Sequence, residues 1–148
     1  MVDNVNYAIS VHVRRHHLGR CFGDGTGFEL PHLANTVRSP DVSFVRADQL
    51  PLGGIATGWL KLAPDLVVEV LSPSETETQL AEKIADYHAA GTRLIWAIDP
   101  TKRVARVISR SSPDQWLSVD DTIDGGDVLP GFVWPVGLFF EGLAVADR

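Results

Sequence analysis

The chain has 148 residues, of which 45% are hydrophobic, and this fits one globular domain over residues 1–148 with a core of ordinary size. Its net charge of −6 excludes a protein coated in basic residues for non-specific nucleic-acid binding, so any contact with phosphates must be local. Since there is one cysteine, no signal-peptide pattern and no apolar run long enough to span a membrane, we expect a cytoplasmic protein without a disulfide and without a membrane partner.

The N-terminal segment has the hydrophobic spacing of a helix. Val5, Ile9 and Val13 recur every four residues, which places them on one face of a helix. The sequence therefore predicts an amphipathic helix over residues 5–18 that lies on a sheet and ends at Gly19.

Short strands and turns follow this helix. The glycine-rich residues 23–27 match neither phosphate-binding loop pattern, so they predict a turn before a strand at 28–30. Residues 40–45 predict a second short strand, which opens on Asp41. Residues 46–61 contain several glycines and predict a loop.

Residues 63–73 are the most informative stretch of the chain. They read Ala-Pro-Asp-Leu-Val-Val-Glu-Val-Leu-Ser-Pro, an apolar run between prolines that is typical of a central strand buried on both faces. Glu69 lies in its middle, and a buried carboxylate needs a cation or strong donors because its desolvation is costly. From this strand alone, a metal ion and a structural ion pair with arginine or lysine are equally plausible partners.

A strand, a helix and a second strand follow one another in this region. Ser74 and Glu77 have the spacing of a capping box, so we expect Ser74 to cap a helix that runs to about Ala90 and closes at Gly91. Residues 93–98 predict another buried strand. Two parallel strands joined by a helix form a right-handed crossover, which indicates the α/β fold class.

The C-terminal third predicts an antiparallel extension of the sheet and an aromatic cluster. Residues 104–109 and 115–119 read as a meander, and residues 124–127 read as a loop. The last segment, 128–143, supplies Phe132, Trp134, Phe139 and Phe140. So much aromatic surface must cover a core edge or a partner chain, and we expect a homo-oligomer.

Two acids on different predicted strands are the best candidates for a metal site. Neighbouring strands lie about 4.8 Å apart, so Asp41 and Glu69 can converge if their strands are adjacent. Two carboxylates with a main-chain carbonyl and waters make an oxygen site suited to Mg²⁺ or Mn²⁺. Such a metal polarises a phosphodiester and generates hydroxide near neutral pH.

Several motifs together resemble a known family, the Uma-type family of restriction-endonuclease-like proteins, a branch of the PD-(D/E)XK nuclease superfamily. The resemblance runs from about Arg38 to the C-terminus. The motifs are Pro40-Asp41, Glu69 within Pro-Asp-Leu-Val-Val-Glu-Val-Leu-Ser-Pro-Ser, Lys83 with Tyr87, Gly91, Trp96-Ala-Ile-Asp-Pro100, Leu129-Pro-Gly-Phe132 and Leu138-Phe139.

This resemblance implies a restriction-endonuclease-like mixed sheet with a parallel strand-helix-strand core and flanking helices. It also implies an endonuclease that hydrolyses DNA with Mg²⁺ or Mn²⁺, with Asp41 and Glu69 as metal ligands. The main-chain carbonyl of Val70 would complete the protein's share of the ligands.

The chain departs from the superfamily pattern at its lysine. The usual lysine lies two residues after the second acid, where this chain has Leu71. The resemblance implies that Lys83, on the following helix, takes its place and steadies the attacking water or the developing phosphorane charge. The alternative is an exposed helix lysine paired with Glu82 or Asp86.

A second departure lies at the N-terminus. Family members resemble one another through a strand or hairpin with a Tyr-Glu-Leu-x-x-Gly pattern before the first helix, and this chain starts at the helix. We therefore expect the N-terminal strand to be missing from the sheet. The protein would then be either inactive or completed by a partner's strand that pairs with the exposed edge. This departure, the acidity and Leu71 favour a rival interpretation, in which a catalytically silent family member acts as a binding or oligomeric assembly module.

A DNA substrate requires a local basic surface. Basic residues that could form one are spread along the sequence, and a scattered, solvated set of charges is an equally good interpretation of them. They are Arg14, Arg15, Arg20, Arg38, Arg46, Lys102, Arg103, Arg106 and Arg110.

Overall fold

The computed structural model describes residues 1–54 and 59–143. These residues form the helices α1 (Val2–Arg15) and α2 (Glu77–Ala90), with short 3-10 helices at Ala47–Gln49 and Val136–Phe140. The strands are β1 (Gly19–Phe22), β2 (Phe28–Glu29), β3 (Val37–Arg38), β4 (Val42–Arg46), β5 (Leu66–Val70), β6 (Leu94–Asp99), β7 (Val104–Ser109), β8 (Gln115–Leu117), β9 (Thr122–Asp124) and β10 (Val133–Pro135).

Six of these strands form one mixed sheet. Their order across the sheet is β1-β4-β5-β6-β7-β8, and β5 and β6 run parallel while the other neighbours run antiparallel. Helix α2 makes the crossover between the two parallel strands. Strands β2 and β3 form a small separate sheet, as do β9 and β10. The predicted α/β class, with its parallel strand-helix-strand core, is confirmed.

Strand β5 separates two hydrophobic clusters. Leu66 and Val68 belong to the cluster that contains α1, whereas Val67 belongs to the cluster that contains α2. All three side chains are fully buried, which explains why the sequence of this strand is a continuous apolar run. Since side chains alternate along a strand, Glu69 points to the same side as Val67, toward α2.

The aromatic C-terminal segment packs against α1 within the same chain. Phe132, Phe139 and Phe140 are at most 2% exposed and share a cluster with Ile9 of α1 and Trp96 of β6. Of the two predicted roles for these rings, covering an edge of the core is therefore the one that the structure shows.

Helix α1 and strand β1 differ from the prediction. The helix covers Val2–Arg15 rather than 5–18, and Gly19 begins β1 instead of ending the helix. Gly19 lies directly against β4, where an added Cβ would collide with the main-chain oxygen of Val45. The glycine is needed for this close approach, and its role as a helix terminator was the wrong interpretation.

Within the described residues no strand precedes α1, as the sequence predicts, and the sheet edge beside β4 is occupied by β1. Strand β1 pairs with β4 from Gly19 opposite Arg46 to Phe22 opposite Ser43. Strand β1 itself is the outermost strand on that side. A partner's strand would have to pair with β1, which follows the first helix in the chain.

The cap of α2 also differs from the prediction. Thr76 is the N-cap residue, and its side chain accepts a hydrogen bond from the Gln79 amide (3.1 Å) while the Gln79 side chain accepts one from the Thr76 amide (2.9 Å). A capping box is present, but it begins two residues after Ser74. At the other end, Gly91 adopts a left-handed conformation with φ 111° and closes the helix as predicted.

Residues 55–58 of the predicted loop 46–61 lie outside the described residues. No helix in the described ranges is long and apolar enough to cross a membrane.

Candidate active site

Asp41, Glu69 and Lys83 line the same open pocket, which has a volume of about 720 Å³. The pocket lies where β4 begins and β5 ends, because these antiparallel neighbours bring the two ends together. Helix α2 forms its other wall through Gln79 and Lys83. The three residues that the sequence predicts to act together are thus adjacent in the structure.

Asp41 immediately precedes β4 and is held by the neighbouring strand. Val42 pairs with Val68, so one further step in the register places Asp41 opposite Glu69 on the same face of the sheet. Its Oδ2 atom accepts a hydrogen bond of 2.7 Å from the Val70 amide. The main chain of β5 therefore fixes the Asp41 carboxylate beside Glu69.

Glu69 is the most deeply buried acid in the pocket, with 6% of the residue exposed. Its Oε1 atom accepts a hydrogen bond of 2.8 Å from the Tyr87 hydroxyl, and its Oε2 atom lies 3.8 Å from the Lys83 ammonium. Burial raises the pKa of Glu69 to about 7, and the negative charges of Asp41 and Glu75 add to this, while Tyr87 and Lys83 oppose it. A cation at this position would reduce the electrostatic repulsion between the clustered carboxylates.

Tyr87 is a fully buried donor to that carboxylate. Burial, together with the negative charge of Glu69, raises the pKa of Tyr87 well above its usual value. The hydroxyl therefore stays protonated and continues to donate at physiological pH.

Lys83 forms an ion pair with Glu75. Glu82 and Asp86, the partners expected for an exposed helix lysine, are not in ion-pair contact with it. Its Nζ atom lies 2.7 Å from Glu75 Oε1. Asp86 instead accepts two hydrogen bonds from Arg38. Burial lowers the pKa of Lys83, but the contact with Glu75 and the charge of Glu69 outweigh this, so the pKa lies above its usual value. The ammonium is charged and faces the pocket.

Two residues of the site were not assigned a role by the sequence. Tyr87 reads as part of the buried helix stripe, and Glu75 reads as an acid that suits the positive end of the helix dipole. Tyr87 could have been identified as a residue of the site from its four-residue spacing from Lys83, because residues four apart share a helix face. Glu75 has no such signal, since its position depends on the direction of the turn after β5.

The donor atoms of the pocket fit a hard divalent cation. Asp41 and Glu69 supply carboxylates, and the continued register places Val70 opposite Pro40, which has no N–H to donate to the Val70 carbonyl. Oxygen donors of these kinds suit Mg²⁺ or Mn²⁺. Within residues 1–54 and 59–143, no group of three or more histidine, cysteine or acidic side chains is placed to hold an ion. The main-chain carbonyl and water would have to complete such a site.

Three of the basic residues that could form a DNA-facing surface are paired with acids. Arg38 contacts Asp86, Arg46 contacts Asp48 and Arg106 contacts Asp114. The guanidinium of Arg106 also lies over the ring of Trp116. These pairs reduce the positive charge that the residues offer to a phosphate backbone.

Comparison with known proteins supports the family and the fold. A sequence model of the family described as "Uma2: Putative restriction endonuclease" matches residues 1–137. The structure superposes with a TM-score of 0.80 on the crystal structure of "a putative nuclease belonging to DUF820" from Anabaena variabilis. The two chains are 18% identical over 94% of this chain and 77% of the other, so the likeness shows the fold alone. No curated protein matches the sequence.

Proposed function

The chain belongs to the Uma2 family, described as "Putative restriction endonuclease", and from this premise we propose that it is a Mg²⁺- or Mn²⁺-dependent endonuclease that hydrolyses phosphodiester bonds of DNA. The observation that supports this most is the convergence of Asp41 and Glu69 in one pocket with the ammonium of Lys83.

Five residues at or beside the pocket have distinct parts in this proposal. Asp41, Glu69 and the Val70 carbonyl hold the ion, which when bound polarises the phosphodiester and lowers the pKa of water. Tyr87 fixes one oxygen of Glu69, so that the other faces the pocket. Lys83 steadies the attacking water or the negative charge that develops on the phosphoryl oxygens.

The first test is hydrolysis of plasmid DNA in Mg²⁺ and in Mn²⁺. We expect Asp41→Asn and Glu69→Gln to lower the cleavage rate by more than about 100-fold, because even partners of metal ligands are worth 10- to 100-fold. Asp114→Asn is the matched control, since it removes a surface carboxylate that pairs with Arg106 outside the pocket. Undiminished cleavage by either pocket variant would contradict these roles.

A second test detects the ion without relying on activity. An ion that binds only the folded protein stabilises it by about 2.7 kcal/mol at a hundredfold excess over its dissociation constant. We expect Mn²⁺ to raise the melting temperature of the wild type and not that of Glu69→Gln. No shift in the wild type would remove the metal from the proposal.

The second candidate function is a catalytically silent binding or assembly module. Leu71 at the superfamily's lysine position, the net charge of −6 and the acid-paired arginines favour it. It predicts a protein that cleaves no DNA in either ion. Sedimentation at increasing concentration tests the homo-oligomer that an assembly module would form.

A further inference from the structure

Lys83 reaches the pocket from a helix rather than from the strand that carries Glu69. A lysine directly after β5 would be held by the sheet, because the amide at that position donates to the Ile98 carbonyl, but the residue there is Leu71. The side chain of Lys83 has four rotatable bonds, and 29% of it is exposed. Without a fixed partner, such a side chain would gain conformational entropy by extending its ammonium into water.

Glu75 is placed to be that partner by the turn between β5 and α2. The Glu75 amide donates a 3.0 Å hydrogen bond to the Ser72 carbonyl, which turns the chain before the helix begins at Glu77. This turn directs the Glu75 side chain back over the pocket, where it is 11% exposed.

The Lys83 ammonium compensates the negative charge of Glu75, whose carboxylate is shielded from water. Glu75 Oε1 is buried and receives no hydrogen bond of regular geometry from the described residues, while the Lys83 ammonium lies 2.7 Å from it. The same ammonium lies 3.8 Å from Glu69, whose other oxygen is held by Tyr87. Lys83 therefore bridges two carboxylates and is bound more closely by the one outside the candidate metal site.

We propose that Glu75 is a positioning residue for Lys83, holding its ammonium at the wall of the pocket where it faces Glu69 and a bound phosphodiester. The placement of the ammonium follows from the contacts of these side chains alone. Its catalytic consequence rests on the proposed nuclease function, so the two parts need separate measurements.

The placement is tested by NMR of lysine ammonium groups in the metal-free protein. The chain has three lysines, and the side chain of Lys61 is 83% exposed while Lys102 is also exposed. Exposed ammonium protons exchange rapidly with water, so we expect one persistent ¹H–¹⁵N signal at low temperature, assigned by its loss in Lys83→Met. Glu75→Gln should abolish it, whereas Glu77→Gln, which removes an exposed acid at the same helix end, should leave it unchanged. A signal that survives Glu75→Gln would overturn the proposal.

The catalytic consequence is tested by the kinetics of DNA cleavage. We expect Glu75→Gln to lower kcat about 10- to 100-fold while KM changes less than about twofold, since the residue acts through Lys83 and not on the substrate. Glu75→Asp should restore part of kcat because it keeps the charge. In a Lys83→Met background, Glu75→Gln should have no further effect.

The other possible results distinguish the positioning role of Glu75 from the proposed nuclease function. Additive effects of Glu75→Gln and Lys83→Met would show that Glu75 acts independently of Lys83, and a loss of Mn²⁺ affinity in Glu75→Gln would make Glu75 a ligand of the ion. Either result would overturn its positioning role. A wild type without nuclease activity would defeat the proposed function, while the NMR signal and its loss in Glu75→Gln would still establish the placement.

Discussion

At the scale of single residues, the raised pKa of Glu69 makes stability depend on pH. Its pKa is about 7 in the folded protein against a usual value of 4.5. The folded state thus holds a proton that the unfolded state has already released between these values, so stability falls as the pH rises from about 4.5 through about 7. The full difference corresponds to roughly 3 kcal/mol.

We therefore expect the metal-free wild type to be less stable at pH 8 than at pH 5, and Glu69→Gln to lose most of this difference. Urea unfolding of both proteins at the two pH values measures it. Glu77→Gln serves as the control because its carboxylate is exposed. The same pH dependence in Glu69→Gln and the wild type would show that other groups cause it.

The hydrogen bond from Tyr87 to Glu69 gives a second prediction at this scale. Tyr87→Phe removes the donor but keeps the ring, so we expect it to destabilise the protein by about 2 kcal/mol at pH 8, where Glu69 is ionised. Tyr7→Phe is a matched control, because Tyr7 is 66% exposed and removal of its hydroxyl should lower the free energy of unfolding by less than about 0.5 kcal/mol. Equal effects of the two substitutions would contradict a stabilising role of this hydrogen bond.

Sequence reasoning brought together Asp41, Glu69 and Lys83 but not Glu75. Glu69 attracts attention because a charge within an apolar strand is unusual. Asp41 follows because it opens a predicted strand that can lie beside that of Glu69, and Lys83 follows from the family resemblance. Glu75 stands among polar residues before a helix, where acids are common for local reasons. Its role depends on the path of a turn, which the residue types in that turn do not determine.

At the scale of elements, the sequence offers two overlapping capping boxes for the start of α2. Ser74 with Glu77 and Thr76 with Gln79 both have the spacing of a capping box, and the structure uses the second pair. We expect Thr76→Ala to destabilise the protein by about 1 kcal/mol, because it leaves the Gln79 amide without its acceptor. Ser74→Ala should cost less than about 0.5 kcal/mol in the same chemical denaturation experiment. The reverse order of these two effects would restore Ser74 as the cap.

The elements that the sequence predicts best are those with an uninterrupted pattern. Strands β5 and β6 are apolar on both faces, and α2 has a regular buried stripe and a glycine stop, so each is found within a few residues of its predicted position. Strand β1 was missed because Gly19 resembles a helix terminator. What fixes that glycine is contact with β4, which is distant in the sequence.

At the scale of the whole molecule, the strand order predicts where the fold resists opening. Strands β5 and β6 are central and buried on both faces, whereas β1 and β8 are the outer strands of the six-stranded sheet. We expect the amides of β5 and β6 to have the slowest native-state hydrogen exchange and those of β8 to exchange far faster. Comparable protection of central and outer strands would contradict the observed order.

The order of strands was only partly accessible from the sequence. The parallel pairing of β5 and β6 follows from the helix α2 that connects them, because a connection of this length and type joins parallel strands. The position of β1, and the docking of Phe139 and Phe140 on α1, depend on pairs of residues that are far apart in the chain. Residue patterns report which faces are apolar but do not identify the surface that each one covers.

One consequence concerns how such a centre could be gained or lost. Strand β5, its turn and α2 deliver Glu69, Glu75, Lys83 and Tyr87 from a single uninterrupted stretch, residues 69–87, and Asp41 alone comes from elsewhere. Exchange of that one segment between related chains would transfer nearly the whole set of groups in a single genetic event. Because β5 is buried on both faces, the transferred segment would have to fit the hydrophobic residues that cover it in the new chain.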